Sequence, residues 1–75
     1  MPAQSPVLRR FGENIRAKRE ARSLSQEQLA ELADLDRTYI SGVERGVRNL
    51  SLLSAVRIAK ALKTTVSDLS GGIER

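Results

Sequence analysis

Leu8, Phe11 and Ile15 recur at i, i+3 and i+7, the spacing of one face of an amphipathic helix. Ser5-Pro6 precedes them. It supplies a hydroxyl cap and then a proline at the first helical position, where its missing N–H is not needed. This predicts a first helix running to about Arg22. Ser25 with Gln28 three residues later forms a capping box, and Leu29, Ala30, Leu32 and Ala33 follow as a short apolar stripe. The second helix is expected to stop near Ala33, with Asp34 as a left-handed turn residue. Asp36 caps a third helix that turns Ile40 and Val43 inward, and Gly46 ends it. Residues 47–50 read as a loop. Ser51 caps a fourth helix whose inward positions are Leu52, Ala55, Val56, Ala59 and Leu62. Thr65 and Asp68 predict a weaker capping box for a short fifth helix carrying Val66 and Leu69. Gly71-Gly72 is expected to end the ordered chain, leaving a frayed tail. No stretch alternates with period two. The fold class expected is all-α: one domain over residues 1–75, an ordered core at about 6–70, five short helices.

With 75 residues, a chain buries only about 60% of its unfolded surface, which excludes a two-domain enzyme and a deep substrate cavity. A formal net charge of +4 favours a polyanionic partner. There is no cysteine and no histidine. Disulfides and thiolate metal sites are therefore excluded, and the commonest general base is missing. No metal site, cofactor or enzyme activity is expected. Phe11 and Tyr39 are the two aromatic residues, too few for a base-stacking platform. No apolar run approaches the roughly 18 residues of a membrane span. Met1 to Pro6 lack the features of a signal peptide, so the expectation is a soluble, cytoplasmic protein. Charge falls in blocks: +4 over residues 9–22, −4 over 23–36 and +5 over 37–63. Glu13 with Glu20 and Glu27 with Glu31 read as solvated or ion-paired helix faces rather than catalytic pairs.

The informative stretch is Gln26 to Arg45. Two short helices meet across the junction Ala33-Asp34-Leu35-Asp36, too tight to lay them side by side, which leaves them crossed as in a helix-turn-helix. With Leu29, Ala30, Leu35, Ile40 and Val43 inward, Arg37, Thr38, Ser41, Glu44 and Arg45 are left outward. Arg37 and Thr38 then stand at the exposed N-terminal end of the third helix, the end that reaches base edges in such units.

Leu24-Ser25-Gln26-Glu27-Gln28-Leu29-Ala30, followed by Asp36-Arg37-Thr38-Tyr39-Ile40-Ser41-Gly42-Val43-Glu44-Arg45-Gly46, resembles the Xre/Cro/lambda-repressor class of helix-turn-helix DNA-binding domains. The resemblance covers roughly residues 8–70. Residues 35–45 with Arg48-Asn49-Leu50-Ser51 are similar to the controller proteins of restriction–modification systems, which are small dimeric transcriptional regulators. The resemblance implies a five-helix lambda-repressor-like domain that reads double-stranded DNA with its second and third helices. It also implies a homodimer on a near-palindromic operator. No small-molecule effector is evident. Asp34 departs from the glycine usual in the turn, Leu50 from a frequent proline, and the tail after Leu69 is extra.

On this reading Arg37 makes a bidentate contact to guanine, and Thr38 and Ser41 present hydroxyls, and a methyl, to base edges. Arg45, Arg48 and Asn49 contact phosphates, which position without specifying. Gln26, at the start of the second helix, holds a phosphate and braces Arg37. Tyr39 has two readings, a phosphate contact or a half-buried packing role. Of the basic first helix, Arg19 and Arg22 are the candidates to face DNA. Ile58, Leu69 and Ile73 are candidates for a two-fold apolar interface; the equal alternative is that Leu69 closes the core and Ile73 is disordered. An alternative on the same fold is a protein-binding helical module of the antitoxin or adaptor kind.

Overall fold

The computed structural model describes residues 5–74. Five helices follow one another: α1 (Pro6–Ala21), α2 (Gln26–Ala33), α3 (Arg37–Glu44), α4 (Leu52–Ala61) and α5 (Val66–Leu69). Among the described residues there is no strand. Each helix starts on an expected cap. Ser5 Oγ accepts from the Leu8 N–H at 3.3 Å, Asp36 from Thr38 at 2.7 Å and Ser51 from Ser54 at 3.0 Å. At Ser25 the capping box closes in both directions, at 3.0 Å and 2.8 Å. At α5 only half of the expected box forms. Thr65 accepts from the Asp68 N–H at 3.0 Å, but the Asp68 carboxylate takes the Thr64 hydroxyl instead.

The first four helices end in one shared device. Ser23, Asp34, Gly46 and Lys63 all have left-handed backbone, with φ of 57°, 57°, 73° and 56°. The next residue's N–H reaches back five positions in each case: Leu24 to Arg19, Leu35 to Ala30, Val47 to Gly42 and Thr64 to Ala59. These are Schellman turns, which satisfy carbonyls that the helix end leaves unpaired. Asp34 therefore does the work expected of it. Glycine is required at position 46 for a further reason: a Cβ there would lie 2.6 Å from the Arg9 Cα. The turn that ends α3 is pressed against α1.

Ile15, Leu29, Ile40, Ile58 and Leu69 are fully buried, one from each helix. Phe11, Ala30, Ala33, Val43, Ala55, Ala59 and Leu62 complete the core. α2 packs against both α3 and α4, and α1 packs against α3 and α5. Gly12 makes the α1–α3 crossing close, since a Cβ there would stand 2.6 Å from the Glu44 carbonyl oxygen.

Three expectations change. Leu52 is 75% exposed, because it is the first residue of α4 and the stripe that packs is Ala55, Ile58, Ala59 and Leu62. Ile58 and Leu69 cannot form a two-fold interface, since both are used up in closing this protomer's own core. Ile73 is half-buried against that core. The segment after α5 is also tied down, with the Asn14 side-chain amide donating to the carbonyls of Leu69 and Gly71, each at 2.8 Å.

Candidate nucleic-acid interface

α3 presents two unlike faces. Ile40, Val43 and Glu44 are buried, whereas Arg37, Thr38 and Arg45 are exposed and Ser41 is half-exposed. Arg37, Ser41 and Arg45 recur at i, i+4 and i+8, with Thr38 beside them, so at 3.6 residues per turn these four share one outward stripe. The Arg37 and Thr38 end is open to solvent, as the sequence required. The backbone there is set by the Asp36 cap. At the other end the Arg45 Nε–H donates to the Ser41 carbonyl at 3.4 Å.

Tyr39 is half-buried and belongs to a neighbouring corner. Its hydroxyl donates to the Asn49 carbonyl at 3.4 Å, and the Arg48 guanidinium lies 5.2 Å from the ring centroid, within range of a cation–π contact. Gly42 lets the loop fold this closely: a Cβ there would sit 3.2 Å from the Arg48 Cβ. The packing role of Tyr39 is thus present, and it gathers Arg48 and the Asn49 carbonyl around one ring.

Glu44 is the largest departure from expectation. Placed outward by the sequence reading, its side chain is 2% exposed. It stands one turn after Ile40, on the same inward face. The Arg19 guanidinium meets it in a fork, Nε to Oε2 at 2.7 Å and Nη2 to Oε1 at 3.1 Å, and Arg19 Nη1 also donates to the Leu24 carbonyl at 2.7 Å. Gln26 Nε2 donates to Glu44 Oε1 at 3.0 Å. Arg19 is therefore an internal tie between α1 and α3, not a DNA-facing cation. Gln26 is held by Glu44 instead of bracing Arg37. The hydrogen bonds that Arg19 donates to Glu44 raise the Arg19 pKa above its ordinary value against the opposing effect of burial, and the charges of Glu44 and Glu20 add to the rise. A buried charge pair of this kind is tolerated because both carboxylate oxygens accept hydrogen bonds, and among the described residues no buried side-chain polar atom lacks a partner. One signal could have found it: Glu44 follows Ile40 by four residues.

The chain is similar to known proteins over most of its length. The family described as helix-turn-helix matches residues 15–69. Control protein C.SmaI of Serratia marcescens is 53% identical over 59 residues, covering 79% of this chain and 70% of that one. The crystal structure of the restriction-modification controller protein C.AhdI from Aeromonas hydrophila superposes with a TM-score of 0.81 at 48% identity, over 83% of this chain and 94% of that one. SinR, a master regulator for biofilm formation solved in complex with DNA, superposes with a TM-score of 0.75 at 28% identity, over 79% of this chain and 95% of that one.

Proposed function

The chain belongs to the helix-turn-helix family, and on that premise we propose that it is a sequence-specific DNA-binding transcriptional regulator acting as a homodimer. The observation that carries the proposal is the outward stripe of α3. Arg37, Thr38 and Ser41 stand on a helix whose opposite face is locked to α1 through Glu44 and Arg19. Such a helix enters the major groove as a rigid unit. Arg37 is placed for guanine O6 and N7, and the two hydroxyls for neighbouring base edges. Arg45, Arg48 and Asn49, with the Tyr39 corner, supply phosphate contacts. Gln26 keeps its second amide hydrogen for a phosphate at the start of α2. Phosphate contacts provide most of the affinity and make it fall steeply with salt.

The dimer face belongs at the N-terminus of α4. Leu52 and Leu53 are 75% and 61% exposed, and Leu52 lines a shallow apolar groove with Val7, Leu8, Leu50 and Val66. A second copy covering this face buries both leucines. Dimeric helix-turn-helix proteins read half-sites about one DNA turn apart, roughly 34–36 Å, and a domain of 31 × 24 × 21 Å is compatible with that spacing. A near-palindromic operator follows from the two-fold axis. The likeness to control proteins favours a cytoplasmic restriction–modification controller over an enzyme.

Selection of bound sequences from a random DNA pool at stated salt tests the reading. The expected result is a two-fold symmetric site with half-sites one turn apart. Recovery of unenriched sequence would overturn it.

A further inference from the structure

A second surface is lined by residues that are not part of the recognition stripe. An open groove of about 650 Å³ runs between the C-terminal ends of α2 and α4. Its floor is apolar: Leu32, which is 59% exposed, with the small residues Ala33 and Ala61. Its rim is basic, formed by Arg22 from the end of α1 and by Arg57, Lys60 and Lys63. All four are exposed, and none takes part in an ion pair among the described residues. Asp34 is the one acid on the lining. Arg22, a candidate to face DNA, is thus placed on this groove.

We propose that the groove docks an acidic amphipathic helix of a partner protein, with apolar side chains against Leu32 and carboxylates against the basic rim. Charge complementarity selects an anion. The exposed leucine among the cations selects a protein helix over a phosphate backbone, because DNA would pair with the rim and leave Leu32 in water. An apolar centre inside a polar rim is the anatomy of a protein interface. Small residues on the floor let a helix approach to the 8–10 Å typical of packed helices. Once an apolar anchor excludes water, the carboxylate–guanidinium contacts around it strengthen. α2 packs against both α3 and α4, and the groove lining comes from α2, α4 and the residues that follow them, with Arg22.

Fluorescence anisotropy with the full chain and three synthetic helical peptides tests this. One peptide carries leucines along one face flanked by glutamates, the second replaces the leucines by serine, and the third replaces the glutamates by glutamine. The first should bind at least ten-fold more tightly than the others. Leu32→Ser, and separately Arg57→Glu with Lys60→Glu, should each remove at least ten-fold of that binding. These positions are exposed, so circular dichroism should show unchanged helix content. Retardation of random DNA, run in parallel, should be unchanged in Leu32→Ser and lose less than three-fold in the charge-reversed variant. Equal binding of the serine peptide would reduce the groove to unspecific charge attraction and overturn the proposal. So would a ten-fold loss of DNA affinity in the charge-reversed variant, which would make the groove a DNA surface. Self-association abolished by the same substitutions would assign it to a second copy. Failure of the unaltered chain to bind any DNA would count against the regulator reading and leave the peptide result standing.

Discussion

The guanidinium of Arg19 and the carboxylate of Glu44 meet through two hydrogen bonds of 2.7 Å and 3.1 Å, between residues 25 positions apart. Their side chains are 11% and 2% exposed, so this pair is an internal fastener between α1 and α3. Replacing Arg19 by alanine strands the Glu44 carboxylate away from water. The expected loss is about 3–5 kcal/mol, a large part of the roughly 5–15 kcal/mol that holds a typical domain together. Urea unfolding should show the lower midpoint. Arg19→Met combined with Glu44→Leu should regain most of it, since no charge is left unpaired.

The same pair sets the pH response. A cation whose pKa is raised on folding contributes stability fully below its ordinary value and loses it as pH rises through the raised one. For Arg19 that window lies at the strongly alkaline end, above the ordinary guanidinium range. Thermal midpoints of the parent and of the Arg19→Met, Glu44→Leu double variant should therefore differ by a constant amount between about pH 6 and pH 10. A difference that closes within that range would contradict the assignment.

Gly12→Ala places a methyl against the carbonyls at the end of α3. Backbone cannot yield as a flexible side chain does, so α1 and α3 must separate. The expected cost is about 1–3 kcal/mol or more, read by chemical denaturation. DNA affinity should fall with it, because the recognition helix loses its support.

Asp34→Gly should act in the opposite direction. Asp34 holds φ at 57°, a conformation that penalises a Cβ, and its charge sits at the unfavourable end of the α2 dipole. Glycine relieves both and costs only unfolded-state entropy. A gain of up to about 1 kcal/mol is expected, visible as a higher melting temperature.

On DNA, Arg37→Ala and Arg48→Ala should separate specifying from positioning contacts. The first should cost about 1–3 kcal/mol on the preferred site and relax one base position. The second should weaken all sequences alike and lower the salt slope by roughly one. Binding titrations at several salt concentrations, on preferred and altered sites, distinguish them. An Arg37 effect equal on every sequence would remove its base-reading role.

The cap that starts each helix, and the turns that end α2 and α3, were open to reading from the chain alone. Ser25 with Gln28, Asp36, Asp34 and Gly46 act through bonds that span five residues or fewer, so their partners are their sequence neighbours. The exposed stripe of Arg37, Thr38 and Ser41 followed from the same local geometry. That Glu44 points inward did not. Glu44 is buried because Arg19 arrives from another helix, and Gln26 turns to Glu44 for the same reason. Ile58 and Leu69 are enclosed, and Leu52 is not, because burial depends on which segment crosses over a position. Helix boundaries are decided by short-range hydrogen bonding and backbone sterics, which the order of residues contains. The partners of a side chain across the core are decided by the packing of distant helices, which comes into being only when the chain closes on itself.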